Sequence, residues 1–404
     1  MKRHPLRKAI QIPRGFLFSA AAAGIKSSRR LDLALAEAPG GASAAALFTR
    51  NRVVAAPLEA GKRHLKATRG RVRALLVNSG NANCATGAAG RQDCERVCRE
   101  VAKRVRAVTQ EVFPSSTGII GVRLPAKKIL RALPGLLCVR AETAEAAGRF
   151  ARAIMTTDTR PKLASAELRR GSRPVRILGI AKGAGMIHPQ LATLLVYLFT
   201  DLEATAAQLK RLLAHGCAET FNRISVDGDT STNDTVLLLA SGASGARLEG
   251  PRFRKQYLAA LTAVCQSLAE QIIRDGEGVR HVVRLTVGQA RDQEEALRVA
   301  RAIAHSPLVK TAWAGADPNW GRVLAAVGAS GVPLDPARVG IFFGPHQVCR
   351  RGAACDFDEG AAHRYLSQPE YEVRVQLGRG RSRVRFLTCD LTAGYVEINA
   401  DYST

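Results

Sequence analysis

Two apolar runs joined by a glycine-rich segment do most to limit what this chain can become. Val175, Ile177 and Ile180 alternate as the inward face of a strand does, and L-L-V-Y-L-F-T-D, Leu194 to Asp201, is a second, continuous apolar run. Between them lies A-K-G-A-G-M-I-H-P-Q-L-A-T, Ala181 to Thr193. The pattern predicts a strand, a glycine-rich turn and then a buried strand. It also sets a threonine, preceded by Ala192, at the head of the buried strand. Cutting the Ala192–Thr193 bond would give Thr193 a free α-amine beside its own hydroxyl, and such an amine ordinarily titrates at roughly 7.7–8.0. Most threonines at such positions are only strand formers, so the local sequence raises the nucleophile without establishing it.

A chain of 404 residues has room for two or three domains and a sizeable core, and its 46% apolar content is ordinary for a globular protein. No apolar run approaches the roughly 18 residues of a membrane span, and Leu194–Phe199 is the longest clean one. The start, M-K-R-H-P-L-R-K-A-I, is basic but lacks the apolar core of a secretory signal. The nine cysteines are scattered and form no C-x-x-C pair, which favours free thiols in a reducing cytosol over a disulfide framework or a zinc site. The net charge of +26 is concentrated at Lys62–Arg73, Arg169–Arg176 and Gly378–Arg385. Such a balance attracts polyanions. No aromatics interleave with these runs, so they read as solvated loops and edge strands that also steer anionic substrates.

Periodicity predicts strands at Phe16–Ala23, Ala44–Val54, Arg73–Val77 and Val282–Val287. It predicts helices at Gly90–Val108, Ala141–Ile154, Leu202–Gly216, Phe253–Ile273 and Glu294–Ser306. Ser115–Gly118 reads as a polar turn, residues 160–175 as an Arg/Ser-rich loop, and Val373–Val384 with Phe386–Leu391 as a hairpin. The class is mixed α/β, with no solenoid period.

Several motifs have chemical and bland readings side by side. Thr117-Gly118 offers a hydroxyl beside a glycine N–H, two donors able to face a developing oxyanion, or else an ordinary turn. Lys182 precedes Gly183-Ala184-Gly185, but the order fits neither a P-loop nor a dinucleotide loop, since His188 stands where the third glycine would be. Lys182 is then a holder of a substrate carboxylate or a surface lysine. Asp227, Asp229 and Asp234 resemble a calcium loop superficially, but Leu238 occupies the position of the bidentate glutamate, and the metal reading is set aside for a polar structural loop. Glu277, between Gly276 and Gly278, is either a surface carboxylate or one that approaches another backbone closely.

A larger set of segments resembles the ornithine acetyltransferase family, also called glutamate N-acetyltransferases, in the same order along nearly the whole chain. They are F-T-R-N-R-V-V-A-A-P (Phe48–Pro57), N-S-G-N-A-N (Asn78–Asn83), P-S-S-T-G-I-I-G (Pro114–Gly121) and A-I-M-T-T-D-T (Ala153–Thr159). After the Ala181–Thr193 segment come F-N-R-I-S-V-D-G-D-T-S-T-N-D-T (Phe221–Thr235), R-D-G-E-G (Arg274–Gly278), L-V-K-T-A-W-A-G-A-D-P-N-W-G-R (Leu308–Arg322) and I-N-A-D-Y-S-T (Ile398–Thr404).

The resemblance implies a mixed-sheet layered α/β sandwich of the aminopeptidase/ornithine acetyltransferase type. It implies a main domain over residues 1–280 and a smaller C-terminal α/β domain over 281–404. It implies self-cleavage between Ala192 and Thr193, giving an α chain of 1–192 and a β chain of 193–404, assembled as two of each. Thr193 becomes the nucleophile, and Thr117 and Gly118 the oxyanion hole. Thr156, Lys182, Thr193, Glu277, Asn399 and Thr404 become substrate contacts. The implied enzyme is cytoplasmic and moves acetyl from N2-acetylornithine to glutamate, giving ornithine and N-acetylglutamate in arginine biosynthesis. It needs no metal or resident cofactor and has no nucleic-acid or membrane partner. Whether acetyl-CoA is a second acetyl donor stays open. The chain departs from the pattern at His188, Gln190 and Val279-Arg280-His281, which bears on substrate preference. The rivals are an amidase or aminopeptidase on the same scaffold and, more remotely, a basic nucleic-acid-binding protein.

Overall fold

The computed structural model describes residues 10–28, 30–187 and 194–401. The expectations placed on Ala192, Thr193 and Thr404 lie outside the described residues, as do His188 and Gln190.

The first sheet is built from β1 (Leu17–Ala21), β2 (Leu33–Phe48), β3 (Arg71–Asn81), β4 (Val112–Ile119), β5 (Lys162–Arg170), β6 (Arg173–Lys182), β7 (Leu195–Thr200) and β8 (Thr235–Ala240). Its order is β4-β3-β2-β8-β7-β6-β5, and β1 pairs with the start of β2. The two apolar runs are neighbours in it. β6 and β7 are antiparallel, in register from Ile177↔Thr200 to Lys182↔Leu195. β7 then lies parallel to β8, and β3 parallel to β4, so the sheet is mixed.

Both faces of this sheet are covered, which is why β7 has no polar alternation: every residue in it is buried. Val196 and Leu198 pack with Leu209 of α5 (Ala206–Glu219) and with Leu261, Val264 and Leu268 of α6 (Pro251–Arg274). Tyr197 and Phe199 face the other way, against Phe18 and Phe150 of α4 (Ala144–Ala153). Each such side chain contributes roughly 1.5–3 kcal/mol on burial, so the middle strands are anchored from both faces. At the β4 end, α1 (Ala56–Ala67), α2 (Gly87–Arg104) and α3 (Ala126–Cys138) complete the layer, with Val97, Val101, Ile129 and Leu133 in their core.

A second sheet follows, from β9 (Val282–Ala290), β10 (Gly340–Phe343), β11 (His346–Arg350), β12 (Ala353–Ala354), β13 (Glu370–Gln376) and β14 (Ser382–Cys389), in the order β12-β11-β10-β13-β9-β14. It has its own core with α7 (Gln293–Ala304), α8 (Pro307–Ala314) and α9 (Trp320–Gly328), centred on Leu285, Val299, Trp313 and Val373. α10 (Glu359–Leu366) precedes β13, and α11 (Ala393–Asp401) ends the described chain. The sheets are tied where Ser225 N–H donates to the Leu387 carbonyl at 3.0 Å. Among the described residues no helix is long and apolar enough to cross a membrane.

Four local expectations are corrected. Residues 160–175 are not a loop: β5 pairs with β6 along its length and closes through Gly171, at φ +61°. β5 is an edge strand, where charged side chains guard the open edge, so its composition imitates a loop. Ser115–Gly118 is not a turn but the end of β4. Its hydroxyls are buried against partners distant in sequence: Ser116 donates to Asn78 Oδ1 at 2.6 Å, and Tyr197 donates to Ser115 Oγ at 2.7 Å. The strand expected at Ala44–Val54 begins at Leu33 and ends at Phe48, since Pro39-Gly40-Gly41, which look like a stop, form an irregularity within β2. β13 and β14 are not a hairpin. Both pair with β9, which lies between them, because the Leu377–Gly380 connection is hydrogen-bonded across the end of β9 at Gly288 and Gln289.

Candidate active site

The site forms where β4 and β6 end and the chain leaves α6. One cavity is lined by Thr117, Gly118, Thr156, Lys182, Glu277 and Asn399, six residues contributed by five separate segments. Every described residue expected in the site is therefore brought together, and none lies elsewhere.

Thr117 and Gly118 close β4 beside β3. Gly118 pairs with Gly80 of the N-S-G-N-A-N segment and has φ +130°. A β-carbon there would stand 2.4 Å from the Gly80 carbonyl carbon and 2.5 Å from the Asn81 nitrogen. Only glycine permits this contact between backbones. Behind it, Asn233 Nδ2 donates to the Ala82 and Ser116 carbonyls at 2.7 and 2.9 Å, which fixes the two strand ends. Lys182, the last residue of β6, donates to Thr117 Oγ1 at 3.3 Å.

Glu277 reaches the cavity because glycines surround it. Its N–H donates to the Ala184 carbonyl at 3.0 Å, and a β-carbon on Gly185 would fall 2.3 Å from Glu277 Oε2. The carboxylate thus lies against the glycine-rich strap. Asn399 of α11 donates to Glu277 Oε2 at 2.8 Å, and Thr392 anchors that helix by donating to the Gly278 carbonyl at 2.6 Å.

The strap itself is clamped. Asp227 accepts from the Met186 and Ile187 N–H groups at 2.6 and 2.9 Å and from the Tyr395 hydroxyl at 3.2 Å. The Ile187 carbonyl accepts from Val226 N–H at 2.8 Å. The polar loop that imitated a calcium site is what holds the segment leading to the expected cleavage point. Met186 has φ +55°, a conformation non-glycine residues seldom adopt.

Charge in the cavity is mixed. Burial lowers the proton affinity of Lys182, while Asp158, Asp234 and Glu277 oppose that effect. Burial pushes the Asp234 carboxyl well above its usual range, and its Oδ2 has no hydrogen-bond partner among the described residues. Burial also acts to raise Asp158, but the positive charges of Lys162 and Lys182 outweigh it and hold this carboxyl well below its ordinary value.

Sequence reasoning missed the supporting residues Asp158, Lys162, Asn233 and Asp275. The i,i+4 spacing of Asp158 and Lys162 was the only local signal, since Asp275 is far away in sequence.

What these groups can do together follows from their types. A cation and a carboxylate face one cavity, which suits a zwitterionic amino acid. A hydroxyl and the backbone at a glycine sit at its wall, where a carbonyl oxygen gaining charge could be met by donors.

Comparisons with known proteins show which family the chain is similar to. The ArgJ family matches residues 17–404. The arginine biosynthesis bifunctional protein ArgJ of Bradyrhizobium diazoefficiens is 44% identical over 398 residues, covering 96% of this chain and 95% of that protein. Its namesake from Methylococcus capsulatus is 45% identical over 394 residues, covering 96% and 95%. Among solved structures, ornithine acetyltransferase complexed with ornithine from Mycobacterium tuberculosis is 39% identical, covering 46% of this chain and 98% of that one, with a TM-score of 0.42.

Proposed function

Because the chain belongs to the ArgJ family, whose matched relatives are named arginine biosynthesis bifunctional proteins, we propose that it is a glutamate N-acetyltransferase of arginine biosynthesis. It moves acetyl from N2-acetylornithine to glutamate. The observation that carries the reading is the gathering of Thr117, Gly118, Thr156, Lys182, Glu277 and Asn399 around one cavity at the foot of the strap.

In the proposed mechanism, Lys182 takes the carboxylate of the bound amino acid, and Glu277, oriented by Asn399, takes its ammonium group. The Thr193 hydroxyl attacks the acetyl carbonyl while the Thr193 α-amine accepts its proton. Thr117 and the backbone at Gly118 stabilise the tetrahedral oxyanion. Ornithine leaves with the proton and an acetyl-threonine ester remains; the neutral amine of glutamate then attacks that ester, the C–O bond to Thr193 breaks, and the proton lost by the amine passes through the Thr193 α-amine to the Thr193 oxygen. Hydroxyl, amine and oxyanion donors supply the whole cycle, so we propose no resident metal or cofactor. Acetyl-CoA acylating the same hydroxyl would supply a second activity. Thr404 is assigned to substrate with Thr156.

We assign residues 1–280 and 281–404 to two domains, place the enzyme in the cytoplasm, and assemble it from two α and two β chains. The β6–β7 ladder from Ile177↔Thr200 to Lys182↔Leu195 joins the two products of cleavage. They should therefore co-elute on native size exclusion, and separated halves would contradict the assembly. An amidase would release acetate without an amino-acid acceptor, whereas this enzyme should need glutamate for turnover. We infer that the basic runs are the enzyme's own surface, a reading supported by a family match that includes them, residues 17–404.

The test is kinetic. Acetylornithine should support glutamate acetylation much better than acetyl-CoA does. Glu277→Ala should cost ~2–5 kcal/mol in kcat/KM for acetylornithine, since it leaves a charged ligand unpaired in a desolvated site. Unchanged constants in that variant would remove Glu277 from the substrate contacts.

A further inference from the structure

The cavity rests on a buried ionic cluster for which the proposed chemistry has no use. Lys162, at the start of β5, is fully buried, and its Nζ donates to Asp158 Oδ1 and to Asp275 Oδ2, each at 2.6 Å. Asp158 has two further donors: Gly183 N–H at 2.7 Å and Thr156 N–H at 3.0 Å. Asp275 accepts from Thr159 N–H at 3.1 Å and also from the Thr159 hydroxyl, and it stands two residues before Glu277. One cluster therefore holds the chain at Thr156, next to Lys182, and close to Glu277. Replacing a buried ion pair by apolar residues is often neutral or stabilising. Stability alone is thus a poor reason for three charges to lie beneath a binding cavity.

Resting on the assignment of Thr156 and Lys182 to the substrate, we propose that Asp158 is a positioning residue of this site. It fixes the backbone at Thr156 and Gly183, and its negative charge favours the charged form of Lys182 while the positive charge of Lys162 opposes it.

The electrostatics give the proposal a sign. Lys182 is faced by Asp158 from the loop before β5, Lys162 from β5, Asp234 from the loop before β8, Glu277 from the turn after α6, and Lys26 from the loop after β1. Burial favours its neutral form, and the carboxylates favour its charged form. Only the charged form holds a carboxylate, so kcat/KM declines on the alkaline side as Lys182 loses its proton. Removing the negative charge of Asp158 moves that decline to lower pH. Removing the positive charge of Lys162 moves it to higher pH.

The experiment measures kcat and KM for acetylornithine against pH in self-cleaved wild-type enzyme and in Asp158→Asn, Asp158→Glu, Lys162→Gln and Lys182→Met, with cleavage and folding confirmed first. The expected result is opposite displacement of the alkaline limb in Asp158→Asn and Lys162→Gln. KM should rise more than kcat falls in Asp158→Asn, and Asp158→Glu should restore the limb. General loosening of the fold does not move one limb in two directions. If Asp158→Asn does not accumulate folded, the Lys162→Gln profile decides. If Lys182→Met is impaired but the alkaline limb is unmoved in the folded Asp158 and Lys162 variants, the inference is overturned while the assignment of Lys182 stands. If Lys182→Met keeps wild-type kinetics, that assignment fails and the inference with it.

Discussion

Replacing Thr193 by alanine is expected to leave a single uncut chain and to reduce acetyl transfer from acetylornithine to glutamate by on the order of 10⁴-fold or more. The size of the effect follows from one residue serving twice. In the proposed scheme its hydroxyl attacks the Ala192 carbonyl in an N-to-O acyl shift, and water then hydrolyses the ester. The amine so released would be the base that later activates the same hydroxyl toward the acetyl group. Removing the hydroxyl therefore removes maturation and catalysis together. Thr193→Ser keeps a hydroxyl and is expected to cut, with the product band on a denaturing gel as the check. A Thr193→Ala protein with a tenth of wild-type turnover would remove this residue from the chemistry.

Gly118→Ala should be the next most damaging change. The new β-carbon would meet the backbone of Gly80 and Asn81, at 2.4 and 2.5 Å, rather than a side chain able to swing away. The φ of +130° would add strain for any residue with a β-carbon. Relief requires β3 and β4 to part at their ends, which displaces Thr117 and its contact with Lys182. Loss of one oxyanion donor costs about 10²–10³ in kcat, and the strained backbone adds roughly 1–3 kcal/mol of destabilisation. Turnover and thermal unfolding of purified Gly118→Ala test both effects. Wild-type kcat would show that this backbone does not face the reacting carbonyl.

The parts of the fold that sequence made legible are those with a strong local period. β6 and β7 read as strands from Val175–Ile180 and Leu194–Phe199, and α6 reads as a helix from Leu261, Val264 and Leu268. The parts that escaped take their character from distant partners. β5 reads as a loop because an edge strand is charged. Ser115–Gly118 reads as a turn because nothing local shows that Asn78 and Tyr197 satisfy the hydroxyls. β13 and β14 read as a hairpin because adjacency in sequence cannot show that β9 lies between them.

The site followed the same division. Thr117, Gly118, Thr156, Lys182, Glu277 and Asn399 are reached through resembling motifs, while local chemistry leaves each one open between a site and a surface role. The structure adds that the six line one cavity. It also adds the supports that no motif named: the Asp158–Lys162–Asp275 cluster, the Asn233 bridge and the Asp227 clamp on the strap. Most of these contacts join side chains to partners far away along the chain, where no periodicity can point to them.

Self-cleavage is the claim on which the nucleophile, the base and the two-chain assembly all depend. Its most direct measurement is N-terminal sequencing, with intact mass, of purified wild-type protein under denaturing conditions. The account predicts two chains, 1–192 and 193–404, with the second beginning Thr-Leu-Leu-Val. A fully active preparation that remains a single uncut chain would contradict it.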